Sequence, residues 1–248
     1  MLSFDVPIDA IEEATLILKR MNDSGNFKSF RGMLIFTISQ TSPICFVSFQ
    51  MMPSFFTQYL CDQHHCANFS VDQLFRTLTN LKQVGFFAFT FSLDEYRHCV
   101  HLTFTSHVRG ATMTTIPTLI PVVPIDEELI AKVDYSSFFS IDSEQFKLLV
   151  IWIGANKVTA TLTRSRIKFI NPSGEFVLTQ QERKCIIGGI REGDEIRFSI
   201  TLLPIEFFNS FTSKRMWFFK TYDSNGTLII SPMGLHAEIW SYFPGRLR

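Results

Sequence analysis

The stretch that most constrains the fold is residues 115–134, TIPTLIPVVPIDEELIAKVD, near the middle of the 248-residue chain. Pro117, Pro121 and Pro124 fix the backbone φ angle and remove three main-chain N–H donors, which excludes a helix or a central strand here. The apolar residues between the prolines are too many for a solvated linker. We therefore predict an extended segment that lies along a protein surface, and we call residues 115–134 the connector.

The composition narrows the class of protein. The chain is 46% hydrophobic and contains 27 Phe, which indicates a globular, strand-rich protein. Since 23 basic residues balance 23 acidic ones, bulk charge does not indicate a nucleic-acid binder, and any DNA contact must come from local arrangement. Five cysteines without a framework indicate free thiols in a reducing compartment. Neither a signal peptide nor a membrane span is expected.

The two sides of the connector have the same predicted order of elements: strand, helix, strands, helix, strands. The helices are predicted from Asp9, as N-cap, to Met21, and over residues 71–83, 142–153 and 202–211. The connector then separates two similar α+β domains, residues 1–114 and 135–248, each with two helices on a mostly antiparallel sheet. Chance similarity between two α+β halves is the alternative.

No catalytic or cofactor site is predicted. Cys61, His64, His65 and Cys66 offer four possible metal ligands within residues 61–66. We predict that these residues continue an aromatic loop over residues 53–59. A short run does not easily surround a tetrahedral ion, so we predict no metal there; a metal-dependent hydrolase that uses these four residues is one alternative function. Histidines on a predicted strand further along, at positions 98 and 101, point to opposite faces and are predicted to be ordinary surface or half-buried side chains.

Basic residues recur at the predicted helices. They are Lys19, Arg20, Arg76, Lys82, Lys147, Lys214 and Arg215. If the four helices line one surface, that surface would bind DNA phosphates without reading bases. The alternative is that bases at helix C-termini only complement the helix dipole.

The order of elements resembles that of the eukaryotic sliding-clamp family, which includes proliferating-cell nuclear antigen. The stretch IEFFNSFT, residues 205–212, looks like the family's last inner helix, and residues 237–242 look like its final strand. Two further motifs are similar to the Rad-nine-type subunit of the nine-one-one DNA-damage checkpoint clamp. They are the Phe-Phe-x-x-Tyr run of residues 55–59 and the Leu-Phe-Arg run of residues 74–76.

This resemblance implies a clamp fold and a non-catalytic nuclear subunit of a ring around duplex DNA. The partners would be two other clamp-like subunits, of the Rad-one and Hus-one types, an ATP-driven clamp loader, and checkpoint and repair client proteins, with no membrane. The ring joint would pair the edge strand of residues 107–114 with that of residues 175–181 in a neighbour. Its predicted interface residues are His107, Arg109, Ala111, Met113, Phe176, Leu178 and Gln180. A client groove would lie along the connector at Leu119, Ile120, Val122, Val123 and Ile125.

The sequence departs from the replicative clamp in its first helix. Glu12 and Glu13 stand where the replicative clamp has lysines, which weakens this chain's own hold on DNA and favours a mixed ring. A homotrimeric replicative-type processivity clamp is the alternative within the family. An α+β module that binds peptide or lipid without forming a ring is the alternative outside it.

Overall fold

The computed structural model describes residues 1–41, 44–108, 110–118, 133–154, 156–222 and 226–243. Within these residues the chain forms eighteen β-strands and four α-helices. The strands pair in antiparallel ladders, for example β1, Leu2–Pro7, with β7, Ala88–Asp94. The α+β class and the antiparallel sheets predicted from the sequence are thus confirmed. Among the described residues, no helix has the length and apolar character needed to cross a membrane.

The chain divides into two compact units. The first contains Met1–Ser39, Ser48–Pro124 and Leu235–Ala237, and the second contains Gln40–Val47, Ile125–Gly234 and Glu238–Arg248. All three tryptophans, Trp152, Trp217 and Trp240, belong to the second unit.

The first unit begins with β1 and contains two helices. Its further elements are α1 Ile8–Lys19, β2 Ser24–Phe30, β3 Met33–Thr41, β4 Ile44–Met51, β5 Gln58–Cys61, β6 His65–Ser70, α2 Val71–Gln83, β7, β8 Cys99–Ser106 and β9 Gly110–Pro117. The end of β3 and the start of β4 are assigned to the second unit. One sheet has the strand order β5-β1-β7-β8-β9, and the other strands follow the order β4-β3-β2-β6.

The helices of this unit begin differently. The Ser70 hydroxyl accepts a hydrogen bond from the Gln73 N–H at 3.1 Å, so α2 has an N-cap of the kind that helices prefer. In contrast, α1 follows Pro7, whose backbone is extended and whose side chain caps nothing. The prediction that Asp9 is the N-cap of α1 is wrong, because Asp9 already lies in the first helical turn.

Two predicted boundaries in the first unit are also wrong. The stretch predicted as a continuous loop contains a 3₁₀ turn, Pro53–Phe55, then β5 and the start of β6, because β1 and β2 supply partners for these strands. The strand predicted over residues 107–114 is β9, which is shifted toward the connector by its register with β8. Pro117 is tolerated in β9 because this strand is at the edge of its sheet.

The second unit also contains two helices. Its described elements are β10 Val133–Asp142, α3 Ser143–Ile153, β11 Lys157–Leu162, β12 Arg166–Asn171, β13 Gly174–Thr179, β14 Cys185–Gly188, β15 Ile196–Thr201, α4 Ile205–Asn209, β16 Arg215–Thr221, β17 Thr227–Pro232 and β18 Ala237–Phe243. The strand order is β14-β10-β16-β17-β18 in one group and β13-β12-β11-β15 in the other.

The caps of α3 agree with the sequence. The Asp142 carboxylate accepts a hydrogen bond from the Gln145 N–H at 2.8 Å, and Gly154 ends the helix with a φ of 55°. The fourth helix is shorter than the predicted residues 202–211, since α4 ends at Asn209. The Ser210 hydroxyl donates to the Phe207 carbonyl at 2.6 Å and so competes with continuation of the helix.

Phenylalanine rings fill the core of each unit. In the first, Phe4 stacks on Phe91 with ring centroids 4.5 Å apart. In the second, Phe139 stacks on Phe218 at 4.3 Å, and the fully buried Phe146 of α3 packs against the rings of residues 208, 211 and 218. The high phenylalanine content noted in the sequence is therefore used for packing between helices and sheets.

Candidate functional site

The helix pair α1–α2 carries the predicted DNA-facing bases of the first unit. The apolar sides of both helices are buried, at Ile11 and Leu18 on α1 and at Leu74 and Leu78 on α2. The polar side chains that lie along the junction of the two helices form hydrogen bonds and ion pairs across it. We call this set of polar contacts the helix-pair ladder.

At one end of the helix-pair ladder, Asp72 binds two of the predicted DNA-facing bases. Its Oδ1 accepts from Lys19 Nζ at 3.0 Å, and its Oδ2 pairs with Arg76 Nε at 2.8 Å. Lys19 also lies over the ring of Phe75, at 4.4 Å from the centroid. The hydrogen bond from Lys19 and the charge of Arg76 lower the pKa of Asp72, so this carboxylate is ionised near neutral pH.

At the other end, Lys82 binds two acids of α1. Its Nζ lies 2.7 Å from Asp9 Oδ1 and 2.6 Å from Glu12 Oε2, and the hydroxyl of Thr79 donates to Glu12 Oε1 at 2.9 Å. The hydrogen bonds from Lys82 to Asp9 and Glu12 raise the pKa of Lys82. The glutamate that the sequence analysis placed at a DNA-facing position therefore has a structural role, because it connects the two helices.

The helix-pair ladder leaves this surface without net charge. The two helices and the residue that follows α1 carry four bases, Lys19, Arg20, Arg76 and Lys82, against four acids, Asp9, Glu12, Glu13 and Asp72. Arg76 is the most accessible of the three bases in the ladder, with 73% of its side chain exposed against 27% for Lys19. Phosphate contact by this unit would thus depend first on Arg76, and it would compete with Asp72.

The predicted bases of the second unit have three different environments. Lys147 is exposed on α3, where its neighbours on the exposed side are the apolar Leu148 and Ile151, 52% and 70% exposed. Lys214 is exposed just before β16. Arg215 is the first residue of β16, and its guanidinium donates to the carbonyl and hydroxyl of Ser140 at 3.2 and 3.0 Å. Arg215 is therefore positioned by a strand rather than by a helix, and its contact with DNA stays a prediction.

The first predicted joint strand is an exposed sheet edge. Among the described residues, β9 pairs only with β8, and Ala111 and Met113 are exposed, Met113 to 64%. His107 lies in the turn before the strand and stacks on Phe87 at 4.4 Å, so its placement on the edge strand is wrong. Arg109 lies outside the described residues.

The second predicted joint strand is also a sheet edge, but its outward face was predicted incorrectly. Within the described part of the chain, β13 pairs only with β12. Leu178 is 2% exposed and belongs to the core, and the ring of Phe176 packs on Trp152 and Phe169. Because side chains alternate along a strand, the outward positions are Glu175, Val177 and Thr179.

The last predicted residue of the second joint, Gln180, lies just beyond the end of β13. Its side-chain amide donates to the Ile187 carbonyl at 3.2 Å. Val177, 43% exposed, was missed by the sequence reasoning, because alternation along a strand does not say which of its two faces is covered. The five predicted groove residues of the connector, Leu119, Ile120, Val122, Val123 and Ile125, lie outside the described residues.

The Phe-Phe-x-x-Tyr motif contributes to packing in the first unit. Phe56 contacts Phe4 at 4.7 Å and Tyr59 at 5.2 Å between ring centroids, and Phe55 contacts Phe49 at 6.0 Å. The Tyr59 hydroxyl lies within hydrogen-bond distance of two main-chain carbonyls of the β2–β3 turn, and burial raises its pKa. Tyr59 therefore stabilises the turn between β2 and β3, and Phe55 and Phe56 contribute to aromatic packing.

The four candidate metal ligands of residues 61–66 do not converge. The Cys61 thiol donates to the Gln63 carbonyl at 2.9 Å, and His64 packs on Phe30. His65 is buried and places one ring nitrogen 2.8 Å from Asp62 and the other 2.8 Å from Glu95. Since both ring nitrogens of His65 are engaged by carboxylates, the arrangement disfavours the hydrolase alternative that required it as a ligand.

Comparison with known proteins adds no relative. No protein-family model matches the chain. No curated protein matches it either. The helix-pair ladder and the two exposed sheet edges are therefore the features of the described residues that bear on function.

Proposed function

We propose that the chain is a non-catalytic subunit of a heterotrimeric ring-shaped DNA clamp with a clamp fold made of two similar halves. Such a ring would encircle DNA at damage sites in the nucleus and recruit checkpoint and repair factors. The observation that carries the proposal is the pair of exposed edge strands, β9 in the first unit and β13 in the second. Edge strands with unpaired main-chain groups are aggregation sites unless a partner covers them.

The side chains of these edges support pairing with another chain. In β9 the first four residues, GATM, are all exposed and uncharged. In β13 the exposed Val177 is apolar, and Glu175 is paired with Lys168 of the neighbouring strand. Charged residues on an edge strand discourage addition of a further strand, and β9 has none among its described residues.

The helix-pair ladder favours a mixed ring over a homotrimeric replicative-type clamp. A ring of three identical chains would need this surface to attract phosphates, yet its acids and bases balance. Partner subunits with more basic helices could supply the attraction in a mixed ring. The homotrimeric clamp is the second candidate because both edges needed for self-association are present in one chain.

The ring proposal is tested by measuring molar mass with light scattering after size-exclusion chromatography. We expect the isolated chain to be monomeric and to form a complex of three chains with one Rad-one-type and one Hus-one-type subunit. A stable homotrimer that ignores these partners would replace the mixed ring by the replicative-type clamp. A chain that stays monomeric with all partners would favour the peptide- or lipid-binding module.

The edges are tested separately by Met113→Lys and Val177→Lys. Both side chains are exposed, so the free energy of unfolding of the isolated chain should change by no more than about 0.5 kcal/mol. Complex formation should nevertheless be lost, because each lysine places a charge on a strand edge. Leu235→Lys and Ile151→Lys, at positions 91% and 70% exposed, are matched controls that should assemble normally. Assembly of all four variants would contradict the assignment of the joints.

A further inference from the structure

Three potential metal ligands meet on one sheet of the first unit. Asp94 is the last residue of β7 and is directly opposite Cys99, the first residue of β8. His101 lies two residues further along β8, so its side chain is on the same face as Cys99. The core residues Phe91 and Leu102 point to the other face. The three side chains therefore share the face of the sheet opposite to Phe91 and Leu102, where Cys99 is buried and Asp94 and His101 are half-buried.

Their distances are close to those of a metal centre. Cys99 Sγ lies 3.5 Å from His101 Nε2, and Asp94 Oδ2 lies 3.7 Å from the same nitrogen. All the potential ligand atoms lie within 4.8 Å of one another. With metal–sulfur and metal–nitrogen bonds of about 2.3 and 2.1 Å, ligand atoms of a tetrahedral zinc ion are about 3.6 Å apart.

The orientation of His101 distinguishes a metal site from a nucleophile triad. In a cysteine–histidine–aspartate triad the thiol and the carboxylate contact opposite ring nitrogens, but here both are nearest to Nε2. The other nitrogen, Nδ1, lies 3.2 Å from the hydroxyl of Thr115 on β9. When Nδ1–H donates to Thr115, Nε2 has a lone pair directed at Cys99 and Asp94, as a ligating histidine requires.

Asp94 is held by a second contact. Its Oδ1 accepts a hydrogen bond from the Arg97 N–H at 3.0 Å, which leaves Oδ2 directed toward His101. The Arg97 side chain is 78% exposed and lies 3.7 Å from the same Oδ2. Because it is so exposed, the guanidinium can rotate into solvent when a cation replaces it.

We propose that Asp94, Cys99 and His101 bind one divalent transition-metal ion of the zinc type, with Thr115 as the residue that orients the histidine. Binding releases the thiol proton to solvent, forms metal–sulfur, metal–nitrogen and metal–oxygen bonds, and leaves a fourth position for water. The ion would connect β7 to β8 directly and to β9 through Thr115. The proposal does not depend on ring formation, and it revises the expectation that this chain holds no metal.

The test uses the full chain, treated with chelator and dialysed against Zn²⁺ or Co²⁺ alone. We expect one equivalent of bound metal by elemental analysis and, with Co²⁺, the thiolate-to-cobalt charge-transfer band in the near ultraviolet. Cys99→Ser should abolish this band, and His101→Ala should reduce the metal affinity by at least about 100-fold. Thr115→Val should reduce the affinity by about 10- to 100-fold, as for other residues that orient a ligand.

The controls separate this site from the other thiols and histidines. His98→Ala and Cys66→Ser should bind metal as the wild type does, and circular dichroism checks that each variant is folded. Failure of the wild type to bind either ion would overturn the proposal. So would a full cobalt–thiolate band in Cys99→Ser, or a loss of the band in Cys66→Ser alone. Because Cys99 is buried, Cys99→Ser can destabilise the fold, so the metal affinity of His101→Ala tests the site independently of that variant.

Discussion

Replacement of Asp72 by asparagine should strengthen the proposed contact with DNA, although it removes two ion pairs. Asp72 is the acceptor for both Lys19 and Arg76, at 3.0 and 2.8 Å. Asparagine has nearly the same shape but no charge. The variant therefore leaves both bases available to phosphates and changes the helix surface from balanced charge to a net charge of +1.

The size of the effect follows from counterion release. Each additional phosphate contact steepens the dependence of log affinity on log salt by about 0.9. If Lys19 and Arg76 each gain one contact, the slope steepens by about 1.8. Raising the salt from about 50 mM to about 200 mM would then reduce the affinity of the variant by about 12-fold more than that of the wild type.

The assay is the retention of the assembled ring on duplex DNA at several salt concentrations. Asp194→Asn makes the same change in total charge at an exposed turn of the second unit and serves as the control. We expect tighter retention at low salt and a steeper salt dependence for Asp72→Asn alone. Equal slopes for the wild type and Asp72→Asn, or an equal gain in Asp194→Asn, would refute the argument that the helix-pair ladder suppresses DNA contact.

Three further predictions concern the free energy of unfolding. Phe146→Ala should lower the free energy of unfolding of the second unit by about 3–5 kcal/mol. Tryptophan fluorescence reports this unfolding, because all three tryptophans lie in the second unit. Ile151→Ala, at an exposed position, should change the same free energy by no more than about 0.5 kcal/mol. Gly189→Ala should also destabilise this unit, because the backbone of Gly189 has a φ of +75° and an added Cβ would lie 1.8 Å from the Ser136 carbonyl oxygen. An unchanged urea midpoint of unfolding would contradict this close approach. Hydrogen bonds from the α-amino group of Met1 and from His65 lower the pKa of Asp62 to about 2. Because the pKa of Asp62 in the folded chain is below the ordinary value of about 3.9, ionised Asp62 stabilises the fold above about pH 4, and this stabilisation is lost as the pH falls toward 2. The urea midpoint of unfolding of Asp62→Asn should therefore lack the part of the wild-type decrease between about pH 4 and pH 2 that comes from Asp62.

Local signals were sufficient for most helices and strands. The Asp142 cap and Gly154 end of α3 were predicted because the chemistry of a cap depends on neighbouring residues. The helix over residues 71–83 was predicted because its apolar residues recur at helical spacing. Both features are properties of a short window, and a sequence displays them directly.

Features that depend on a distant partner were not predicted. The strand β5 and the start of β6 were assigned to a loop because the residues that pair with them are elsewhere in the sequence. Leu178 was placed on the wrong face of β13 because alternation alone does not say which face is covered. The cluster of Asp94, Cys99 and His101 was missed for the same reason, since it depends on the register between β7 and β8.

The helix-pair ladder has the largest consequence for function. Its bases were counted from the sequence as a DNA-facing set, but three of them are within 3.0 Å of acids that the packing of α1 against α2 brings to them. A charge that is already paired contributes little to phosphate binding, because its counterion is a fixed carboxylate and no mobile ion is released. The strand edges β9 and β13, in contrast, have no second strand partner among the described residues, and main-chain groups at such an edge can pair with another chain. Among the described residues, the proposed role in holding neighbouring subunits therefore has more support than a proposed grip on DNA by this chain itself.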